Sequence, residues 1–149
     1  MTYNDLCKGR DSCKDRIYFI TATTHDRIPC FSDLFIARKI VLEMRRLHDL
    51  NLVQSLAWVL MPDHLHWLFQ LSGKDDLPSV MKKFKGRTAR LLNLQLNRNG
   101  QIWQKGFYDH ALRKDEDIRE IASYIVANPI RAGLVETVGE YPLWDAIWW

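Results

Sequence analysis

A chain of 149 residues and 17.6 kDa that is 47% hydrophobic and 26% charged has the size and composition of one globular domain, long enough to fold around one core without a disulfide or a structural metal. Three cysteines, Cys7, Cys13 and Cys30, form no complete set of pairs and lack zinc-ribbon spacing, and with no apolar run of spanning length and no signal-peptide pattern the expected compartment is the cytoplasm, with no membrane partner. The net charge of +3 conceals its distribution: residues 79–108 carry Lys82, Lys83, Lys85, Arg87, Arg90, Arg98 and Lys105 but no Asp or Glu, a concentrated positive field suited to a polyanion such as nucleic acid.

The first predicted element is a strand over residues 15–24 (DRIYFITATT), with Ile17, Phe19, Thr21 and Thr23 on one face and Tyr18, Ile20 and Ala22 on the other. Asp33 then caps a helix running to Asp49, whose Ile36, Ile40, Met44 and Leu47 recur at helical spacing while Arg38, Lys39, Glu43, Arg45 and Arg46 take the wetter face. Residues 51–61 read as a second strand and, beyond Pro62 and Asp63, residues 64–71 (HLHWLFQL) as a third, joined to it as a hairpin. A turn at residues 72–76 leads to a long basic helix over residues 77–98, and the turn NRNGQ leads to a fourth strand over residues 102–112. A last helix covers residues 115–127, followed by NPIRAGLV and an aromatic tail whose Trp144, Trp148 and Trp149 are expected to pack back on the domain. The order β-α-β-β-α-β defines an α+β, ferredoxin-like (RRM-like) antiparallel sheet of four strands with both helices on one face, to which a C-terminal helix is added.

Chemistry is suggested at two places. His64 and His66, two apart on a strand, leave the same face with Cα atoms about 7 Å apart, a spacing for two ligands of one metal. Leu65, Trp67, Phe69 and Leu71 point the other way, so the histidine face is expected to be the open one; two unrelated surface histidines are the alternative. On the last helix Tyr124 and Asn128 stand at i and i+4 and share a face, and Pro129 ends or bends the helix beside them. A tyrosine near a His-x-His metal site suits a phosphodiester substrate, where the phenolate attacks phosphorus and the cation orients and polarises the phosphate. Trp103, Lys105, Phe107 and Tyr108 alternate stacking surface with charge, as single-strand binders do, although Trp103 and Phe107 equally suit sheet packing. Arg131 either contacts phosphate or caps the preceding helix.

Four blocks, YFITATTHDRIPCF, MPDHLH, IWQKGFYDH, and ASYIVANPIRAGLV with its following EYPLWDAIWW, resemble in order those of the REP-associated tyrosine transposases, relatives of the single-tyrosine HUH insertion-sequence transposases. The resemblance covers nearly the whole chain and implies a single HUH tyrosine transposase domain over residues 1–149. It implies Tyr124 as nucleophile, His64, His66 and Asn128 as the site of Mg²⁺ or Mn²⁺, and a substrate of single-stranded DNA folded into hairpins (REP-like palindromes). That DNA would be cut to a 5′-phosphotyrosine and a free 3′-hydroxyl and then rejoined, by a monomer or a homodimer. Lys82, Lys83, Lys85, Arg87, Arg90, Trp103, Lys105 and Arg131 are the expected DNA contacts. Many relatives carry Asn where this chain has Asp63, which either adds a ligand or caps the turn. Two other readings stay open: a regulator that kept DNA binding and lost transposition, and an RRM-like module that binds single strands through aromatic side chains. A zinc hydrolase is disfavoured, because Asn128 is a poor zinc ligand and no third His or Cys stands near.

Overall fold

The computed structural model describes residues 16–113 and 116–148; Cys7, Cys13, Asp115 and Trp149 lie outside the described residues. Each of the three longer helices starts on an aspartate that satisfies otherwise unpaired N–H groups of the first turn. Asp33 accepts from the Phe35 N–H at 2.8 Å and opens α1 (Leu34–Asp49). Asp76 accepts from the Ser79 N–H at 2.9 Å and opens α2 (Leu77–Gln95), with Pro78 in its first turn. Asp117 accepts from the N–H groups of Arg119 and Glu120 and opens α3 (Ile118–Val126). The chain then breaks at Ala127 and continues as the short α4 (Asn128–Arg131), the bend expected before Pro129. No helix among the described residues is long and apolar enough to cross a membrane.

Five strands form one antiparallel sheet: β1 (Ile17–Thr23), β2 (Val53–Met61), β3 (His64–Leu71), β4 (Tyr108–Ala111) and β5 (Trp144–Ala146), in the spatial order β4-β1-β3-β2-β5. β3 lies between β1 and β2, and β1 between β3 and β4, so two split β-α-β units interleave as the element order predicts. The fifth strand was not expected. Part of the aromatic tail pairs with the outer edge of β2, Trp144 opposite Val59 and Ala146 opposite Ala57, which covers an edge that would otherwise be unpaired.

The fourth strand is much shorter than residues 102–112. Gly106 takes φ +72°, and the Lys85 ammonium draws the carbonyls of Gln104 and Gly106 to 2.7 and 2.5 Å, so only a single bridge, Thr24 to Trp103, precedes Tyr108. Glu43 also departs from its expected wet face. It is 3% exposed, and Arg46 and Arg87 donate to its two oxygens at 2.9 and 2.7 Å, which compensates the burial of its charge.

Both faces of the sheet are packed. On one, Ile20 and Ala22 of β1 and Leu65, Trp67, Phe69 and Leu71 of β3 bury against α1 and α2. On the other, Ile17, Leu56, Ala57, Val59, Met61 and Leu68 bury against Ile118, Ala122, Ile125 and Val126 of α3. The second core corrects the expectation that the histidine face is open: α3 carries its own apolar stripe, and that stripe needs a surface to cover. A bulge in β2 between Ser55 and Ala57 puts both Leu56 and Ala57 on the α3 side, an extra apolar contact that strict alternation would not supply.

Candidate active site

His64 and His66 sit at the start of β3, on the α3 side and at its rim. Their rings approach to 4.8 Å between centroids in an edge-to-face arrangement, and each has one nitrogen engaged. His66 Nδ1 lies 2.8 Å from Thr21 Oγ1, directly across the ladder on β1, and His64 Nδ1 lies 2.7 Å from Asp63 Oδ1. Both Nε2 atoms are thereby left for another partner. Burial, the neighbouring His64 and the positive charge of Arg131 push His66 down from 6.5 to about 4, so its imidazole is neutral at physiological pH, the form that ligates a metal. Partial burial pushes the Asp63 carboxyl up, but the hydrogen bond and charge of His64 and then Arg27 outweigh it and hold it below the ordinary carboxylate range.

Tyr124 is 56% exposed on α3. The Arg131 guanidinium lies 3.8 Å over its ring, and Arg131 Nη2 donates to the Tyr124 carbonyl at 2.6 Å. Arg131 therefore caps α3, one of its two expected roles, and stacks on the tyrosine, an interaction worth about 0.5–1 kcal/mol at an exposed site. The same cation acts on His66, which brings tyrosine, arginine and histidine pair into one neighbourhood although they come from different elements. Asn128, half-buried, opens α4 just beyond the end of α3. Among the described residues no group of three or more His, Cys, Asp or Glu side chains is placed to hold a metal ion, so a cation bound by this histidine pair needs a third donor of another kind, such as an amide oxygen.

The basic segment lies on the opposite side. α2 packs on the sheet through Leu77, Val80, Met81, Phe84, Thr88 and Leu92, and its cations face a groove between α1 and α2 lined by Arg46, Lys82, Lys83, Arg87 and Arg90. Lys83 pairs with Asp75 at 2.5 Å and Arg87 with Glu43, whereas Lys82 and Arg90 are exposed. Lys85 is committed to the two carbonyls that shape the loop before β4, and burial pushes its ammonium down from the ordinary lysine value. Trp103 corrects an expectation: it is 4% exposed, its indole N–H donates to the Thr88 hydroxyl at 2.9 Å, and it packs against Phe31 and Phe84, so no face is free to stack on a base. Lys105 is exposed on the loop before β4, and Tyr108 is 62% exposed. Sequence reasoning missed the roles of Thr21, Arg27 and Glu43, each of which has a partner more than 35 residues away that emerges only from the strand register and the helix pairing.

The five-stranded α+β fold is shared with solved transposases. The structure of a REP-associated tyrosine transposase bound to a REP hairpin superposes with a TM-score of 0.72 at 24% identity, over 87% of this chain and 76% of that one. A Deinococcus radiodurans structure described as a candidate transposase superposes with a TM-score of 0.58 at 22% identity, over 79% of this chain and 94% of that one. The family model "Transposase IS200 like" matches residues 12–128, and the chain belongs to that family. A Haemophilus influenzae protein described as a candidate REP-associated tyrosine transposase is 30% identical over 89% of this chain and 81% of its own length. The REP-associated tyrosine transposase of Escherichia coli K12 is 34% identical over 58% of this chain, which spans half of that protein.

Proposed function

We propose that this transposase binds single-stranded hairpin DNA and cuts and rejoins it through Tyr124, with a divalent ion, Mg²⁺ or Mn²⁺, held by His64, His66 and Asn128. The observation that carries the reading is that α3, which bears Tyr124, packs on the sheet face of His64 and His66, with Arg131 stacked on the tyrosine ring. The donor set fits such an ion: both Nδ1 atoms are engaged, His66 is neutral, and both Nε2 atoms remain for ligation. Bound there, the ion would polarise the scissile phosphate and stabilise its developing charge. The chain's own residues do the rest. Tyr124 Oη loses its proton and bonds to phosphorus, and the bond from phosphorus to the 3′ oxygen breaks. That oxygen leaves as a hydroxyl after gaining a proton, and the 5′-phosphate remains on the tyrosine. Arg131 already lies over the ring and offers a planar cation to a phosphate arriving there.

Hairpin affinity would come from the exposed cations of the α1–α2 groove and from Lys105, across the sheet from the chemistry. The RRM-like alternative is weakened by the second core, since α3 covers the sheet face on which such a module would stack bases. The test is a labelled single-stranded REP-type hairpin incubated with Mn²⁺ and the wild-type or Tyr124→Phe chain. A covalent adduct on the Tyr124 peptide, absent from a variant that folds and binds the hairpin like wild type, is expected. An adduct on the Tyr108 peptide, or full cleavage by Tyr124→Phe, would overturn the assignment.

A further inference from the structure

The loop after β1 holds two consecutive non-glycine residues in the left-handed region, Asp26 at φ 55° and Arg27 at φ 52°. Such placement costs on the order of 1–2 kcal/mol per residue, so surrounding contacts must impose it. They do. Thr24, fully buried, donates its N–H to the Asp63 carbonyl at 2.9 Å and directs its hydroxyl to that carbonyl and to Ile28 O at 3.1 and 2.9 Å. The His25 N–H reaches Ile102 O at 2.8 Å, and the Phe31 N–H reaches Pro62 O at 3.0 Å. The loop is thus stitched to the β2–β3 turn from both ends. What the contorted backbone delivers is the Arg27 side chain: its Nε donates to Asp63 Oδ2 at 3.1 Å, while the other carboxylate oxygen, Oδ1, meets His64 Nδ1 at 2.7 Å.

We propose that Arg27 and Asp63 are positioning residues for His64, fixing the tautomer in which Nδ1–H donates to Asp63 and the Nε2 lone pair is left for a divalent ion. The inference rests on the metal-dependent reading above and deepens it. Of the two roles left open for Asp63, a direct ligand is the poorer match, because Oδ1 and Oδ2 already have partners and the carboxylate is aimed at the far nitrogen of the ring. Carboxylates that hold ligating histidines in this way set both tautomer and ring orientation, and their removal typically weakens metal affinity by about 10–100-fold. Arg27 in turn keeps the carboxylate from rotating away. The strained turn has a purpose on this account, since a relaxed loop would carry the guanidinium elsewhere. His66 is held by a different device, the Thr21 hydroxyl across the ladder, so the two ligands depend on separate supports.

The test uses the full chain with histidine nitrogens labelled, first free of metal in mildly alkaline buffer, where two-bond proton–nitrogen correlations report each ring's tautomer, and then titrated with Mn²⁺ followed by electron paramagnetic resonance. Wild type should show His64 protonated on Nδ1. Asp63→Ala should release His64 to the Nε2-protonated form and weaken Mn²⁺ binding about 10–100-fold. Asp63→Asn, which keeps an acceptor oxygen, should restore part of that loss, and Arg27→Gln should show a smaller one. Asp63→Ala binding Mn²⁺ like wild type would overturn the positioning role alone. A wild type that binds no Mn²⁺ would overturn the metal-dependent reading with it. Because the wild-type tautomer is read without any substitution, a variant that fails to fold leaves the inference exposed: His64 protonated on Nε2 in wild type refutes it.

Discussion

Acid should unfold this chain through His66. Its imidazole is pushed from 6.5 to about 4, first by burial and then by the charges of His64 and Arg131. Between those two values the unfolded chain binds a proton on this ring that the folded chain does not, so stability rises with pH across the window. The contribution is fully present above about 6.5 and is lost as pH falls toward 4. The gap corresponds to about 3 kcal/mol, a large part of the margin of an ordinary domain. Urea unfolding of the chelator-treated chain, measured at a series of pH values across this window, gives the slope directly. His66→Gln removes the titrating ring while keeping an amide that can meet Thr21, and should flatten the slope over this interval whatever its absolute stability. Equal slopes for wild type and variant, or a directly measured His66 titration near 6.5, would refute the reasoning.

Replacing Lys82 and Arg90 together should lower the slope of log K against log salt for hairpin binding by about 1.4–1.8, two phosphate contacts' worth, whereas Lys85→Met, whose ammonium already holds two carbonyls, should leave it unchanged; fluorescence anisotropy over a salt series decides both. Trp103→Ala should cost about 3–5 kcal/mol of stability in urea unfolding with the hairpin affinity of the folded fraction intact. A drop in that affinity matching about 1–3 kcal/mol would restore the ring's role as a stacking surface.

What could be read from the chain alone was whatever local rules decide. Alternation placed β3 at residues 64–71 and assigned its two faces, and Asp33 marked the start of α1 because an N-cap acts within three residues. Tertiary partners decided the rest. The bulge between Ser55 and Ala57 answers to the packing of α3, sixty residues on, and β5 exists because β2 has a free edge. Glu43 looked like a surface carboxylate because the Arg87 that neutralises it lies on another helix. The histidine pair and the tyrosine were legible as residue types at suggestive spacings, but not the groups that orient them: Thr21 meets His66 only once the β1–β3 register is set.

The distribution of unfavourable features points to the same place without any appeal to relatives. Among the described residues, four that are not glycine have positive φ. Asn51 and Asn97 follow helix ends, where asparagine in the left-handed region is ordinary. Asp26 and Arg27 do not: they are adjacent, one is an arginine, and they lie in a short 3-10 turn over residues 25–27, not beyond the end of an α-helix. The residue they serve, Asp63, spans Arg27 and His64, and the neighbouring His66 is held neutral by its surroundings. A chain selected for stability alone would relax the turn and expose the ring. The three longer helices, by contrast, each start on an aspartate cap, and the one buried carboxylate among the described residues, Glu43, is fully paired. Strain and a neutralised ring gathered at one rim of the sheet are what a site pre-organised for chemistry leaves behind. The tyrosine helix is packed on that side of the sheet and not on the other.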